Sequence, residues 1–402
     1  MLFVVSEVYY PEEAATAHYM ASIAEALAAR GPVRAICATP KYDMAGRHPR
    51  GKESRHGVEI HRCWGTAFDK NRLLGRILNA GTASVSMFAR TLWVVRRGDL
   101  VFLVTNPPLL PLFALLACRV RGARCCLRID DVYPEAMVHA GLIRPGGILA
   151  SIANWANRRL YRRMDRIIVL GRDMKRLVEE KLGYAGDKVL VIPNWADTDS
   201  VAPAERCQNR FLAQYGLQGK FVVGYAGNIG RVQAVESLFE AASLLEGRPE
   251  LHFLVFGSGQ KVSWLARAVA AAQLTNLTLA GLRSRAEQAE MLNAFDVGAI
   301  ALVRGMAGAG VPSRLYNLMA AGRPVLAALD AESEVAQVVR EEKIGWVVPP
   351  DEPQKLAGAI LEASSNRERL KAMGARARKA AEEKYSAARI LGLYERVLGG
   401  KT

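Results

Sequence analysis

Cysteine is scarce in this 402-residue sequence, and its spacing excludes two common uses of the residue. None of the six cysteines forms a CxxC pair, the spacing at which two cysteines usually share a metal ion. A zinc site and a disulfide framework are therefore not predicted. Because free cysteines are usually buried, we expect six buried, reduced thiols.

The sequence also lacks a long hydrophobic run and the charge order of a signal peptide. Its most apolar stretch, residues 107–120, contains Arg119 and falls short of the ~20 residues that span a bilayer. An apolar run follows Met1 directly and acidic residues come soon after, whereas a signal peptide begins with basic residues. We predict a cytoplasmic protein without a transmembrane helix.

Acidic residues are outnumbered, 39 against 54 lysines and arginines, which gives a net charge of +15. This imbalance predicts an anionic partner, whether nucleic acid, lipid headgroups or a phosphorylated small molecule. Residues 1–200 hold 29 basic and 19 acidic residues, and residues 201–402 hold 25 and 20. With half of its residues hydrophobic, a chain of this length should form two or three globular domains.

The secondary-structure pattern is that of an α/β protein. Short β-branched runs such as residues 2–6 and 221–226 alternate with longer amphipathic stretches, as in βα units around parallel sheets. Two such series predict two doubly wound, Rossmann-like domains, over residues 1–195 and 196–384. A final helix in residues 385–402 is expected to cross back to the first domain. Ligands should bind at the carboxyl ends of the strands, in the cleft between the domains.

Glycines follow three strands of the second series. In residues 307–326 (AGAGVPSRLYNLMAAGRPVL) they precede a helical stretch, where backbone N–H groups, the Ser313 hydroxyl and the Arg314 guanidinium could meet a diphosphate. The loops at residues 224–233 (GYAGNIGRVQ) and 256–260 (FGSGQ) could let a phosphate approach the backbone. Together they predict a nucleotide site. An ordinary capped helix is the alternative for the first segment.

Carboxylates follow a strand of the first series. In RIDDVYPE, Asp130, Asp131 and Glu135 come directly after a buried strand, where an unpaired carboxylate needs a partner or a chemical role. Helix capping by Asp130 or Asp131 is the alternative. A further pair, Asp197 and Asp199, is spelled like a two-aspartate metal motif, but its place after a proline favours a turn.

Two basic stretches of the first series could meet a membrane or a nucleic acid. Residues 70–97 combine Leu, Ile, Phe88 and Trp93 with six basic residues and no acidic one, as interfacial helices do. Residues 155–166 add five arginines. A solvated helix face is the alternative. Nucleic acid is disfavoured because the sequence has no nucleic-acid-binding module and no basic–aromatic repeat.

The sequence as a whole resembles the retaining glycosyltransferases of family 4. The resemblance covers nearly the whole chain and is closest to a bacterial branch similar to the colanic-acid and O-antigen enzymes, of which the N-acetylfucosaminyl transferases are one example. It implies the GT-B fold of two facing Rossmann-like domains. The motifs that carry it are SEVYYPEEAATAHYMASIAEALAARG, NPPLL, DDVYPEAMVHAGL, VIPNWAD, YAGNIGRVQ, FGSGQ and VPSRLYNLMAAGRPVLA, followed by ESEVA and GWVVPP.

The sequence departs from the family pattern at the expected donor site. Two glutamates of the family, eight positions apart, and a basic pair after the first strand of the second domain are all replaced. We therefore expect Glu334 to make the ribose contact, and Arg231 and Arg314 to balance the diphosphate. The replacements are Ala309 and Asn317 for the glutamates, and Asn228 and Gln233 for the basic pair.

The resemblance implies sugar transfer from a nucleotide sugar with retention at the anomeric carbon, with no metal, no cofactor and no side-chain nucleophile. Helix N-termini and arginines would stabilise the leaving diphosphate. Asp131 would deprotonate or orient the acceptor hydroxyl from within ~3 Å, on an acceptor side that includes Thr16, Asp130 and Glu135. The expected donor contacts are Gly227, Asn228, Arg231, Gly257, Leu282, Arg283, Val311, Pro312, Ser313, Arg314, Asn317 and Glu334.

We predict transfer from a UDP-sugar, an N-acetylated amino sugar, to a polyprenyl-diphosphate-linked saccharide in cell-surface polysaccharide synthesis. The protein would be peripheral on the anionic inner face of the plasma membrane and would bind no nucleic acid. Two alternatives stay open: a nucleotide-sugar 2-epimerase of the same architecture, and a non-catalytic peripheral membrane binder. The expected membrane contacts are Arg72, Arg76, Trp93, Arg96 and Arg97.

Overall fold

The computed structural model describes residues 1–40, 52–68 and 73–399. Its backbone falls into two compact units, each with its own parallel sheet. The α/β fold with two parallel-sheet domains is thereby confirmed. The first unit comprises Met1–Pro134, Gly146–Pro193 and Ile390–Thr402, and the second comprises Glu135–Pro145 and Asn194–Arg389.

The sheet of the first unit has the strand order β3-β4-β2-β1-β5-β6-β7-β8. All neighbours are parallel except β3 and β4, which form an antiparallel hairpin. The sequence pattern did not indicate β3, because its polar residues KESR pair on one side only, at the sheet edge. The strands are β1 (Leu2–Ser6), β2 (Val33–Ala38), β3 (Lys52–Arg55), β4 (Val58–Cys63), β5 (Leu100–Val104), β6 (Arg124–Ile129), β7 (Arg166–Val169) and β8 (Val189–Val191).

The sheet of the second unit has the order β11-β10-β9-β12-β13-β14, with every neighbouring pair parallel. Its central strands are almost wholly buried, as expected of a parallel sheet covered on both faces. The strands are β9 (Phe221–Ala226), β10 (Leu251–Phe256), β11 (Leu277–Gly281), β12 (Val297–Ala301), β13 (Val325–Ala328) and β14 (Gly345–Val348).

Helices follow most strands, and glycine ends several of them. Gly122, Gly183 and Gly322 adopt positive φ directly after helices, where a residue without a Cβ is least strained. The helices are α1 (Ala15–Ala28), α2 (Leu73–Val94), α3 (Leu110–Arg121), α4 (Glu135–His139), α5 (Ile148–Arg163), α6 (Arg172–Leu182), α7 (Arg210–Gln214), α8 (Val235–Leu244), α9 (Val262–Ala271), α10 (Gln288–Asn293), α11 (Arg314–Ala320), α12 (Glu334–Glu341), α13 (Pro353–Ser365), α14 (Arg367–Glu383) and α15 (Ala387–Leu398).

All six cysteines are free, and five of them are buried. The expectation of six buried thiols is wrong for Cys207, which is exposed because it lies in the short 3₁₀ turn Arg206–Gln208 on the surface of the second unit. None of the helices in the described part of the chain combines the length and the apolar character that a membrane crossing needs.

Candidate active site

Two glycine loops pack backbone against backbone at the carboxyl ends of β9 and β10. The N–H of Ile229 donates to the carbonyl oxygen of Ser258 at 2.8 Å, and the N–H of Lys261 donates to that of Ile229 at 2.9 Å. Gly257 has φ +150°, and a Cβ built on it would lie 1.9 Å from the carbonyl oxygen of Gly227. Only glycine fits this approach, so the two loops form one preorganised surface.

The Arg314 side chain lies beside the first of these loops. Its Nη2 is 3.5 Å from the carbonyl oxygen of Asn228 and would be 3.3 Å from a Cβ on Gly227. Its guanidinium carbon stands 4.5 Å from the ring centre of Tyr225, whose hydroxyl donates to the Asn228 carbonyl oxygen at 2.6 Å. The structure thus brings Gly227, Asn228 and Arg314 together, although they are distant in sequence.

The second terminal nitrogen of Arg314, Nη1, is buried and donates to no acceptor among the described residues. A buried charged donor without an acceptor is costly, and an anion beside it would remove that cost. Gly227 and Asn228 are exposed, so the loop in front of the guanidinium is open to a ligand.

Val311, Pro312 and Ser313 directly precede α11. The N–H of Tyr316 donates to the carbonyl oxygen of Ser313 at 3.1 Å, and the Ser313 side chain makes no capping bond to the helix. The Ser313 hydroxyl therefore does not cap this helix. Asn317 follows one turn later and is half-buried.

The remaining donor candidates lie in different surroundings. Arg283 donates from Nη2 to the Tyr215 hydroxyl at 2.8 Å, and its guanidinium carbon is 5.3 Å from the ring centre of Phe211. Its neighbour Leu282 is exposed, as is Arg231 in the glycine loop. The structure therefore anchors Arg283 on α7 and on the residue that follows this helix.

Glu334 is buried at the first position of α12. Ser333 caps this helix by accepting the N–H of Ala336 at 3.3 Å. Ala309, which replaces a glutamate of the family pattern, is fully buried.

Sequence reasoning overlooked Lys261, which ties the two glycine loops together. Its Nζ donates to the carbonyl oxygen of Gln233 at 2.9 Å and pairs with Glu236 at 2.8 Å. Gln233 in turn accepts the N–H of Gly230 through its side-chain oxygen at 3.1 Å. The available signal was the position of Lys261, directly after the FGSGQ loop.

On the acceptor side, Asp130 is the centre of a polar network at the carboxyl end of β6. Its Oδ2 accepts from the Thr16 hydroxyl at 3.0 Å, and its Oδ1 accepts from Nε of Arg128 at 2.7 Å. Its N–H donates to the Thr105 hydroxyl at 3.2 Å. Both carboxylate oxygens of Asp130 thus accept hydrogen bonds from side chains.

The neighbouring Asp131 is half-buried, and its N–H points to the same Thr105 hydroxyl at 3.4 Å. Loss of water around its carboxyl, together with the negative charge of Asp130, raises the pKa of Asp131 to about 7. Two adjacent carboxyls with different environments are the usual arrangement for separating an ionised group from one that exchanges a proton near neutrality.

Glu135, the third acceptor-side candidate, begins α4 and belongs to the second unit, whereas Thr16, Asp130 and Asp131 belong to the first. Sequence reasoning gave no role to His139 at the end of α4. A Cβ on Gly305 would lie 2.5 Å from Cε1 of its ring, and Gly305 has φ +88°. His139 therefore packs closely on the loop that follows β12.

The expected membrane contacts lie at or near α2. Arg72 is outside the described residues, and Arg76 lies within the helix. Trp93 is 81% exposed near the end of α2. The predicted helix over residues 70–97 is too long at its C-terminus, because the N–H of Arg96 donates to Oδ2 of Asp99 at 2.8 Å in a following turn. Arg96 and Arg97 are exposed there.

The Asp197–Asp199 segment makes a turn, in which Oδ1 of Asp197 accepts the N–H of Ser200 at 3.1 Å. Within the ranges that the structure describes, no group of three or more His, Cys, Asp or Glu residues could hold a metal ion.

Two family models match the chain in succession: a glycosyl transferase 4-like domain over residues 15–195 and a glycosyl transferases group 1 domain over residues 208–380. WbjE of Pseudomonas aeruginosa, whose name describes it as a glycosyltransferase, is 35% identical over 298 residues, 73% of each chain. WcaI of Escherichia coli K12, whose name assigns it to colanic acid biosynthesis, is 29% identical over 372 residues, 88% of this chain and 90% of WcaI.

Among solved structures, HepE of Anabaena in complex with UDP and glucose is similar with a TM-score of 0.77 and 15% identity, over 99% of both chains. At that identity the likeness concerns the fold, which is that of the GT-B glycosyltransferases. The resemblance seen in the motifs is thereby confirmed. On the two domain matches and the identity to WbjE, the chain belongs to the glycosyltransferases that join a glycosyl transferase 4-like domain to a group 1 domain.

Proposed function

We propose that this glycosyltransferase takes its sugar from a UDP-sugar whose diphosphate lies against Arg314 and the Gly227 loop. The observation that carries the proposal is the buried Nη1 of Arg314, which has no acceptor in the described part of the chain. A diphosphate oxygen would supply that acceptor, and such charge-assisted bonds are roughly twice as strong as neutral ones. UDP in HepE, a protein of the same fold, supports the choice of nucleotide.

The transfer we infer retains the configuration of the anomeric carbon and uses no metal. As the bond from the sugar to UDP breaks, negative charge grows on the diphosphate, and the Arg314 guanidinium and the Gly227 loop stabilise it. The exposed Arg231 adds positive charge in the same loop. Glu334 would hold the ribose, and Asn228, Ser313 and the residues around them the rest of the donor. The family resemblance supports retention without a side-chain nucleophile.

Asp131 is the group that we propose to accept the proton of the incoming hydroxyl. Its carboxyl stands beside the fully partnered Asp130, and its pKa of about 7 suits proton exchange at neutral pH. The sugar, proposed to be an N-acetylated amino sugar, would pass to that hydroxyl, and the proton would pass to the Asp131 carboxylate.

We propose a polyprenyl-diphosphate-linked saccharide as the acceptor, in the synthesis of a cell-surface polysaccharide. The name of WcaI supports the polysaccharide, and the surface of the first unit supports the lipid. There α3 packs against α2 and α5, and the three helices contain no acidic residue. Their exposed large apolar side chains, which we call the three-helix face, are Leu74, Leu78, Val85, Trp93, Leu112, Leu116, Val120, Ile148, Leu149, Ile152 and Trp155.

Exposed arginines accompany the three-helix face. Arg158, Arg159, Arg162 and Arg163 lie on α5, and the Arg159 guanidinium carbon is 4.4 Å from the ring centre of Trp155. Apolar side chains beside arginines suit the boundary between headgroups and acyl chains of an anionic leaflet. This composition supports peripheral binding to the inner face of the plasma membrane rather than to nucleic acid.

The test is a transfer assay with UDP-, GDP- and dTDP-sugars and polyprenyl-diphosphate-linked N-acetylglucosamine, in the presence of EDTA. The proposal predicts acceptor-dependent release of UDP and an α-linked product, by NMR, from an α-linked UDP-sugar. Preference for a GDP- or dTDP-sugar would overturn the choice of UDP, a β-linked product would overturn retention, and a requirement for a divalent ion would overturn metal independence.

Two controls separate the alternatives. Conversion of UDP-N-acetylglucosamine to its C2 epimer without acceptor would identify a 2-epimerase. Binding to anionic vesicles without turnover of any nucleotide sugar would identify a non-catalytic membrane binder. Either result contradicts the proposed transfer.

A further inference from the structure

Arg128 is a fully buried charged residue that the proposed chemistry does not use directly. It stands on β6, where its Nε donates to Oδ1 of Asp130 at 2.7 Å and its Nη1 donates to the Tyr394 hydroxyl at 2.5 Å. The ring of Tyr19 lies 5.4 Å from the guanidinium carbon. The charge is thus shared between a carboxylate at the candidate active site and a hydroxyl on α15.

Tyr394 is equally buried and is fixed by packing as well as by this bond. Its ring meets that of Phe102, on β5, edge-on with the ring centres 5.9 Å apart. The residue lies 266 positions after Arg128, near the end of the described chain. The last helix therefore supplies one wall and one hydrogen bond to the pocket that holds the guanidinium.

We propose that Arg128 and Tyr394 are positioning residues for the transfer step, holding the Asp130 carboxylate in one place so that Asp131 remains the group that exchanges the proton. The inference rests on the role proposed above for Asp131. It also explains why Arg128 is buried between Asp130 and Tyr394, because burial of an arginine is costly unless its charge is paired and its donors are used.

The charges near Asp131 make the direction of the effect clear. Asp130 carries the negative charge that opposes ionisation of Asp131, and Arg128 partly cancels it. The other titratable groups that act on this network are Tyr19, Tyr394 and Cys126. Removing the charge of Asp130 should therefore make Asp131 a stronger acid, and weakening the hold of Arg128 on Asp130 should make it a weaker one.

The first test is an NMR titration of the Asp131 side-chain carboxyl carbon in the full-length protein, which requires no substrate. Asp130→Asn should lower the pKa of Asp131 by at least one unit. Arg128→Met should raise the pKa of Asp131, Arg128→Lys should restore part of the difference, and Tyr394→Phe should raise it by a smaller amount. The matched control is Tyr9→Phe, because the Tyr9 hydroxyl is buried in the same unit and has no hydrogen-bond partner in the described part of the chain.

The second test is kinetic and uses whichever nucleotide sugar supports turnover. Tyr394→Phe should lower kcat about tenfold and move the acid limb of the pH profile upward, with KM for the donor within twofold of the wild-type value. A loss of folded protein would lower kcat without moving that limb. In a double-mutant cycle, Tyr394→Phe should have little further effect once Asp130→Asn is present.

The outcomes separate this inference from the proposed function. The positioning role is wrong if the pKa of Asp131 is the same in Tyr394→Phe and Arg128→Lys as in Tyr9→Phe. It is also wrong if the effects of Tyr394→Phe and Asp130→Asn on kcat simply add. If the wild-type protein transfers no sugar, the proposed function fails, and the NMR titration still decides whether Arg128 and Tyr394 control Asp131.

Discussion

Single residues at the ends of β6 and β9 carry most of the inferred chemistry, and their partners assign different roles to similar side chains. Asp130 has both carboxylate oxygens occupied by Thr16 and Arg128, whereas burial and the charge of Asp130 raise the pKa of Asp131 to about 7. Arg283 and Arg314 each keep a buried guanidinium nitrogen without an acceptor among the described residues, but Arg283 also donates to Tyr215, whereas Arg314 lies beside the exposed Gly227 loop. Arg314 is therefore assigned to the nucleotide by its place beside this loop as well as by its unpartnered nitrogen.

The raised pKa of Asp131 predicts a pH-dependent cost to stability. Below about pH 4 the carboxyl is neutral in both the folded and unfolded states. As pH rises toward 7 the unfolded state loses this proton first, so the folded state is penalised, and fully so above 7. Asp131→Asn should therefore raise the free energy of unfolding of the first unit at pH 8 by about 2 kcal/mol, given ~1.4 kcal/mol per pKa unit and partial exposure of the group.

Urea unfolding at pH 8 and pH 4.5 measures this effect, and the gain should be clearly smaller at the lower pH, where only the early part of the penalty has developed. The control is Asp187→Asn, which removes an exposed carboxylate of the same unit and should change little at either pH. Equal stability of wild-type protein and Asp131→Asn at pH 8 would show that the folded state does not oppose ionisation of Asp131.

A methyl group at Gly257 should disrupt the paired glycine loops. Its Cβ would lie 1.9 Å from the carbonyl oxygen of Gly227, and φ is +150°. We expect Gly257→Ala to weaken UDP binding at least tenfold and to destabilise the second unit by about 2 kcal/mol or more. Gly247→Ala is the control, because nothing lies within 4 Å of its added Cβ. Wild-type UDP affinity in Gly257→Ala, by calorimetry, would separate these loops from the nucleotide site.

Residue types and their places on the chain could be predicted here, but their partners could not. The strand-end positions of Asp131 and Arg314 follow from the alternation of strands and helices. That Tyr225 lies under Arg314, or that Tyr394 holds Arg128 across 266 positions, depends on contacts between distant elements. No local pattern encodes such contacts.

At the scale of elements, α2, α3 and α5 form a layer whose outer side is unusual for a solvated surface. Leu112, Leu116 and Val120 recur at four-residue intervals on α3, so one side of that helix is apolar and exposed. Contiguous exposed apolar surface rimmed by polar residues marks interaction sites. The sequence had indicated α2 and the arginines of α5, while α3 had been treated only as an apolar stretch too short to span a bilayer.

Acidic substitutions on this layer should abolish membrane binding. The double variant Leu116→Glu, Ile152→Glu removes two exposed apolar side chains and adds two negative charges among arginines, so its partitioning into phosphatidylglycerol-containing vesicles should fall at least tenfold in flotation. Leu244→Glu, an exposed leucine on the second unit, should float like the wild-type protein. Equal flotation of all three proteins would remove the three-helix face from the membrane interface.

Most element boundaries followed from the sequence because strands and helices of α/β units differ strongly in hydrophobic period. The strands over residues 2–6 and 221–226 match their predicted ranges. The polar edge strand β3 did not follow, because it has no buried face to leave a pattern. The end of α2 was misplaced since Arg96 and Arg97 continue its basic composition into a turn.

For the whole molecule, we propose that the net charge of +15 serves two kinds of anionic partner. The larger share lies in residues 1–200, which include the arginines around the three-helix face. In the second unit, Arg314 and Arg231 lie on or beside the glycine loop. A transferase of the proposed kind, which moves a sugar from a soluble nucleotide to a lipid-linked acceptor, needs one surface for the lipid and one for the nucleotide. We propose the three-helix face for the lipid and the glycine loop for the nucleotide.

Calorimetric titration of UDP into the wild-type protein, Arg314→Ala and Arg267→Ala tests directly whether the diphosphate lies against Arg314. Arg267 is an exposed arginine on α9 of the same unit, so its variant makes the same change in net charge away from the glycine loops. UDP should bind Arg314→Ala, and only this variant, at least tenfold more weakly, because the variant loses a charge-assisted hydrogen bond worth about 1.5–3 kcal/mol. Equal Kd values for all three proteins, or no binding of UDP to the wild-type protein, would contradict this placement of the diphosphate.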